Sequence, residues 1–202
     1  MDCLEGLRDT PDKFYDLAIV DPPYGIGNWI PSNNKNPKTV NWNDKIPDKS
    51  YFIELKRVSK ERIIWGANYY NCFNENGGAI IWDKRIANPN FSRCEIASYS
   101  RLKKVDYILI EWHPTHVFNK GIKTIHQCQK PVDLYKWLLT KYAKQGDKIL
   151  DTHLGSGSIA IACYDLGFDL TGYEIDKDYF EAMTKRFEKH KQQLTLDLKG
   201  IA

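Results

Sequence analysis

The chain has 202 residues, of which 42% are hydrophobic and 13% aromatic, with a formal net charge of +3. That length suits one domain with a sizeable core, and six Trp, twelve Tyr and eight Phe exclude a disordered tail. The weak positive charge admits a polyanionic partner without demanding one, and the absence of any apolar run of about 18 residues excludes a membrane span.

The N-terminal residues are polar and mixed, unlike a signal peptide, so a cytoplasmic protein is expected. Residues 16–21 form a short apolar run stopped by two prolines, the pattern of a buried parallel strand. Residues 25–50 carry six asparagines and three prolines, which is loop chemistry. Helical spacing of Phe52, Leu55 and Val58 predicts a helix over 49–59, followed by a strand at 62–65 that Gly66 closes. Two further strands are predicted at 78–82 and 94–99, and 101–125 reads as a second irregular loop with a basic balance. Pro131 suits a helix's first turn and opens an amphipathic helix reaching about Tyr142. Then come a strand at 148–151, a helix at 158–166, a strand at 170–174 and a charged helix at 179–190. Such alternation predicts an α/β fold, a mostly parallel sheet with helices on both faces, over 1–202 as a single domain. The five cysteines are scattered with no CxxC pair and read as reduced thiols.

Two segments at the expected carboxyl edge carry chemistry. Asp151-Thr-His-Leu154-Gly155-Ser156-Gly157-Ser158 follows a strand and opens a helix, where a backbone can approach a ligand closely. Glu174 lies 23 residues after Asp151 at the next strand's end, within reach of ribose hydroxyls. The spacing Gly155-x-Gly157-x-x-Ala160 also satisfies a dinucleotide fingerprint, and a plain glycine turn is the bland alternative. A carboxylate at Asp151 would repel a pyrophosphate, yet it suits a ligand bearing an ammonium and a sulfonium. That favours S-adenosylmethionine over a nicotinamide cofactor.

The other segment is Asp21-Pro22-Pro23-Tyr24. Its prolines stop the ladder and stiffen the backbone, so the Asp21 carboxylate and the Pro22 carbonyl stand close together as acceptors. Two acceptors aimed at one point suit an NH2 group, and the Tyr24 ring offers a face on which a base can stack. A strand-ending turn with a surface tyrosine is the bland alternative.

With these motifs the sequence resembles the amino-methyltransferases of DNA, the N6-adenine and N4-cytosine family, over nearly its whole length. Asp21, Pro22, Pro23 and Tyr24 match the family's catalytic motif, and Asp151, Leu154, Gly155, Ser156, Gly157 and Ser158 its donor-binding motif. Glu174 and Ile175 resemble the ribose-binding segment, and His126, Lys130 and Pro131 the His-x-x-x-Lys-Pro element. Asp2 and Cys3 resemble a Gly-Asp-Cys segment near the donor's adenine, with Met1 replacing its glycine. The resemblance implies a circularly permuted, Rossmann-like methyltransferase fold with a seven-stranded sheet, because the catalytic motif precedes the donor motif. It implies S-adenosylmethionine as cofactor, and DNA as partner with its target base flipped from the duplex.

Asp rather than Ser at position 21 favours adenine over cytosine within the family. N4 of cytosine and adenine in RNA remain alternatives that use the same machinery. Loops 25–50 and 101–125 are then the nucleic-acid-contacting insertions. Relatives of this class often dimerise, so a homodimer and a cognate restriction enzyme are the other partners to test. Trp82, Lys84 and Asn68 end strands on the same edge and are expected near the substrate. No metal is expected, since His113 and His116 have no further ligand at suitable spacing.

Overall fold

Burial of the central strand on both of its faces sets the architecture. In the computed structural model, which describes residues 1–27, 43–73, 76–86, 91–112, 124–126 and 128–199 (194–199 by backbone alone), seven strands form one sheet. They are β1 (Tyr15–Val20), β2 (Ser59–Trp65), β3 (Ala79–Asp83), β4 (Cys94–Tyr99), β5 (Val105–Leu109), β6 (Lys148–Asp151) and β7 (Asp169–Gly172). Their order is β5-β3-β4-β2-β1-β6-β7, and only β4 runs against its neighbours. The helices are α1 (Cys3–Arg8), α2 (Lys49–Val58), α3 (Ala67–Tyr70), α4 (Val132–Tyr142), α5 (Ser158–Leu166) and α6 (Lys177–Lys199).

Leu17 and Ile19 of β1 point to one face, where they join Leu134, Leu138 and Leu139 of α4 and Ile159 and Ala162 of α5. Ala18 and Val20 point to the other, against Leu7 of α1 and Tyr51, Leu55 and Val58 of α2. A strand covered on both faces must be apolar throughout, which is why residues 16–21 carry no alternation. Each fully buried aliphatic side chain here contributes about 1.5–3 kcal/mol relative to exposure. The expected α/β fold, a mostly parallel seven-stranded sheet with helices on both faces, is therefore observed.

β1 sits where the chain's direction of travel across the sheet reverses. From β1 the chain passes through α2 to β2 on one side, whereas β6 leads through α5 to β7 on the other. The carboxyl ends of β1 and β6 lie side by side at this switch point, the place where open α/β sheets leave a crevice.

Three elements differ from the sequence expectation. Residues 101–125 are not wholly irregular, because β5 pairs with β3 at the sheet's edge. Its apolar residues Val105, Tyr107 and Leu109 face outward, while Asp106 turns inward to accept from the Tyr142 hydroxyl at 2.7 Å and to pair with Lys141 at 2.6 Å. Three of its apolar residues thus face outward, while Ile108 packs against the core beside Asp106. α1 buries only Leu7 and α3 is one turn long, so neither generates a periodic signal. Pro131 stands one position before its helix, as N-cap of α4. Most of loop 25–50, and His113 and His116, lie outside the described residues.

Candidate active site

The end of β1 and the loop after β6 share a cavity of about 370 Å³, which reaches from Asp21 and Tyr24 to Gly155, Glu174 and Tyr179. Its two ends differ in chemistry.

At the β1 end, the two prolines carry the chain off the sheet and leave Asp21 on the cavity wall. The Tyr24 hydroxyl donates to Asp21 Oδ1 at 2.6 Å, and the Lys130 ammonium bonds Oδ2. Lys130 also lies 3.0 Å from Glu95 Oε2, and Lys84 lies 3.2 Å from Glu95 Oε1. The Tyr70 hydroxyl of α3 donates to the Pro22 and Pro23 carbonyls, the latter at 2.9 Å. Asn43 accepts from the Tyr24 backbone N–H at 2.6 Å and donates to the Gly27 carbonyl, pinning the motif's exit.

The Asp21 and Pro22 acceptors are thus not vacant, as the sequence reading had them. Each already takes hydrogen bonds from the protein and keeps spare lone pairs. One face of Tyr24 is stacked on Tyr69, with centroids 4.9 Å apart and planes 15° apart. A Cβ on Gly66, at φ +74°, would fall 2.4 Å from the Tyr24 ring, so glycine is needed for the ring to sit here.

Burial dominates the electrostatics. It raises the Asp21 carboxyl above its ordinary value, against the pull of Lys130 and with a further push from Glu95. Lys130 is raised despite burial, because Asp21 and Glu95 both favour its charged form. Glu95 is lowered, with Lys130 and then Lys84 outweighing its own burial.

At the β6 end the loop turns tightly into α5, with Gly157 N–H donating to the Leu154 carbonyl at 2.8 Å. Glu174, just past β7, accepts from Gly155 N–H at 2.8 Å and Asp176 N–H at 2.9 Å, which fixes its carboxylate at the cavity rim. Asp151 is only 2% exposed and accepts from His153 N–H at 3.0 Å. Burial pushes its carboxyl up to about 7. His126 and His153 are pushed down to about 4 by burial and are neutral near pH 7. Cys128 N–H donates to His126 Nδ1 at 3.1 Å, leaving the His126 proton on Nε2.

Residues 67–185 match the N6/N4 methyltransferase family model described as DNA methylase. The type II methyltransferase M.HpaI of Haemophilus parainfluenzae is 33% identical over 231 residues, spanning 92% of this chain and 72% of the relative. The chain belongs to this family. It is an S-adenosylmethionine-dependent DNA methyltransferase, as the motifs implied. Two solved structures share the fold. The M1.HpyAVI–SAM complex superposes with a TM-score of 0.55 at 21% identity, covering 92% of this chain and 96% of that one. The PvuII DNA methyltransferase, cytosine-N4-specific, superposes at 0.63 with 13% identity, covering 95% and 88%.

The methyltransferase gathers Asp21, Pro22, Pro23, Tyr24, His126, Lys130, Leu154, Gly155, Ser156, Glu174 and Ile175 around the cavity. Lys130, expected beside the donor, lines the cavity and directs its ammonium to the Asp21 carboxylate. Asp2, Cys3, Pro131, Asp151, Gly157 and Ser158 are not among the residues that line the cavity. Asp2 caps α1 by accepting from Leu4 N–H at 2.9 Å, and burial raises the Cys3 thiol to about 12. Ser158 donates to the Lys130 carbonyl at 2.7 Å, tying α5 to the segment before α4. Gly157, at φ +71°, has no room for a side chain, since a Cβ there would lie 2.1 Å from Met183 Cγ.

Trp82 is a correction. Side-chain alternation on β3 turns it into the core at 1% exposure, where its indole donates to the Ile110 carbonyl at 3.0 Å. Lys84 reaches the site only through Glu95, and Asn68 is exposed on α3. Sequence reasoning missed Glu95, Tyr69, Tyr70, Asn43 and Tyr179. Only the reversed polarity of β4 brings Glu95, near that strand's start, to the edge where the other strands end.

Among the described residues no helix is long and apolar enough to cross a membrane, and no group of three or more His, Cys, Asp or Glu side chains could hold a metal.

Proposed function

We propose that this methyltransferase modifies the exocyclic N6 of adenine in DNA, with Asp21 and the Pro22 carbonyl accepting the hydrogens of the target amine. The observation that carries this reading is the position of Asp21-Pro22-Pro23-Tyr24 at one end of a cavity whose other end is the Gly155–Glu174 loop pair. An aspartate at position 21 supports adenine over cytosine by the family resemblance.

The donor end suits a cationic nucleoside. Glu174 and Asp176 line it, both histidines there are neutral, and Asp151, buried beyond the lining with its carboxyl raised to about 7, would gain from a nearby positive charge. In this reading Glu174 receives the ribose hydroxyls, while the Gly155–Ser156 backbone lies against the ligand. When bound, S-adenosylmethionine supplies an electrophilic methyl group on its sulfonium.

The amine of adenine is a weak nucleophile because its lone pair is delocalised into the ring. Accepting its two N–H hydrogens on the spare lone pairs of Asp21 and Pro22 favours a pyramidal nitrogen and stabilises the charge that develops on it. Tyr70 and Tyr24 hold those acceptors from behind, so little reorganisation is needed at reaction. Once methylated, the nitrogen sheds a proton. Asp21 takes it, since burial raises the proton affinity of that carboxylate, whereas Lys130 is held charged and cannot. The target base leaves the duplex to reach this wall and meets the aromatic pair Tyr24 and Tyr69. Loops 25–50 and 101–125 supply contacts to the flanking DNA in this reading.

Incubating the protein with S-adenosylmethionine and unmethylated genomic DNA, then digesting to nucleosides for mass spectrometry, tests it. N6-methyladenine is expected. N4-methylcytosine alone would overturn the choice of base. Asp21→Ala is expected to lower kcat by about 10²-fold or more while donor affinity is retained; full activity in that variant would sink the assignment of Asp21.

A further inference from the structure

We propose that Glu95 is a positioning residue for methyl transfer: through the Lys130 ammonium it sets where the Asp21 carboxylate points and how much negative charge it presents to the target amine. This rests on the reading of Asp21 as acceptor of that amine.

Four side chains of alternating sign form a chain that starts on the cavity wall: Asp21 after β1 and Lys130 before α4 line it, then come Glu95 on β4 and Lys84 after β3. Their side chains are 17%, 4%, 21% and 13% exposed. Lys130 bonds Asp21 Oδ2, lies 3.4 Å from the Tyr24 hydroxyl and sits over the rings of Tyr24 and Trp65 at 5.9 and 5.6 Å. Its main chain is fixed as well, because its carbonyl accepts from Ser158. Glu95 Oε2, buried and 3.0 Å from the ammonium, accepts no well-aligned hydrogen bond among the described residues. Its link to Lys130 is therefore chiefly a matter of charge. A buried ion array is seldom retained for stability alone, since apolar residues of similar size often serve as well. Retention of this one against the catalytic motif points to a role in the chemistry.

The site needs Lys130 in two ways that conflict without Glu95. Facing Asp21 alone, the ammonium would hold the carboxylate tightly and offset the negative charge that the amine must feel. Glu95 draws the cation to a position between two anions, leaving Asp21 ionised yet only partly neutralised. The other groups near Asp21 are Tyr24, Tyr51, Tyr70, Tyr135 and Cys128, all kept neutral by burial, and Asp151. None of them supplies a second cation.

The test is the pH profile of kcat, measured with saturating labelled S-adenosylmethionine and unmethylated genomic DNA. Ionisation of Asp21 sets the acid limb. Lys130 lowers that limb and Glu95 raises it, Lys130 having the larger influence. The limbs should therefore lie, from low to high pH, in the order Glu95→Gln, wild type, Glu95→Gln/Lys130→Met, Lys130→Met. At its optimum, Glu95→Gln should lose about tenfold or more in kcat with donor binding unchanged, the scale of a misplaced catalytic group. A purely structural bolt would lower the melting temperature and leave the acid limb where it was. An unmoved limb in Glu95→Gln, or one shifted upward, overturns the proposal. Should Lys130→Met fail to fold, wild type against Glu95→Gln still decides. Asp21→Asn separates the two ideas: activity in that variant refutes the acceptor reading, whereas an inactive variant with coincident limbs elsewhere refutes only the role of Glu95.

Discussion

Asp21 and Asp151 end adjacent parallel strands, yet their surroundings are opposed. Asp21 is engaged by the Lys130 ammonium and the Tyr24 hydroxyl, within a wall that holds its own cations and anions in near balance. Asp151 is buried more deeply, takes one backbone N–H, and pairs with no cation among the described residues. A carboxylate already supplied with a cation suits a neutral guest such as a base amine, which needs acceptors and no net charge. A buried carboxylate without a cation suits a guest that carries one. The sheet thus presents two carboxylates side by side and prepares them for different partners.

The largest effect that could sharpen this contrast is on stability. Lys130→Met leaves Asp21 and Glu95 facing each other in a buried wall, and should lower the unfolding free energy in urea by about 3–5 kcal/mol, as for other broken buried pairs. Asp151→Asn should do the reverse in the absence of donor at pH 8, raising the melting temperature, because it replaces an unpaired buried charge by a neutral isostere. If both variants destabilise alike, the two carboxylates are equivalent and the contrast fails.

Next in size is donor affinity. Asp151→Asn should weaken S-adenosylmethionine binding by about 10- to 100-fold, the loss of an interaction with a charged group. Glu95→Gln, at the other end, should leave it unchanged in the same tryptophan fluorescence titration.

A smaller effect follows from pH. Folding raises the Asp151 carboxyl from 3.8 to about 7, so its protonated form is favoured in the fold. Its contribution to stability is complete below about pH 4 and is lost as pH rises through about 7. Binding of a cation pulls the other way, so donor affinity should rise from pH 5.5 to 7.5 and then level off, with proton uptake by the buffer visible in calorimetry. His126 and His153, pushed down to about 4, contribute nothing in that range. A flat affinity profile in the wild type would count against a cation beside Asp151.

The smallest change is Tyr70→Phe. It removes one hydroxyl donor to the Pro22 and Pro23 carbonyls and should cost about 1 kcal/mol in stability, with a few-fold loss in kcat. An undiminished rate would mean that Pro22 is oriented by its ring alone.

Much of this was legible in the chain itself. A continuous apolar run followed by two prolines is enough to locate β1 and the cavity wall at its end, because a doubly covered strand admits no polar alternation. The turn into α5 is equally plain from its glycines, although the contact of Gly157 with Met183 is visible only in the fold. What eluded the sequence depends on strand direction. Nothing in Cys-Glu-Ile-Ala-Ser-Tyr says that β4 runs backwards, and so nothing there marks Glu95 as the partner of Lys130 while its neighbour in space, Trp82, belongs to the core. Edge strand β5 was hidden for a related reason, since Val105, Tyr107 and Leu109 face outward and its aspartate inward.

The reach of the Lys130–Asp21 bond has a consequence for how the protein is made. Its two residues stand 109 positions apart, so during synthesis the first half of the sheet leaves the ribosome with Asp21 and Glu95 already present and their shared counter-ion still unmade. A nascent chain stopped before residue 130 can assemble β1 to β5, but closing that edge would bury two negative charges without relief. That part of the wall should therefore set only once residue 130 is made, and truncated chains should expose it to proteases until the lysine arrives.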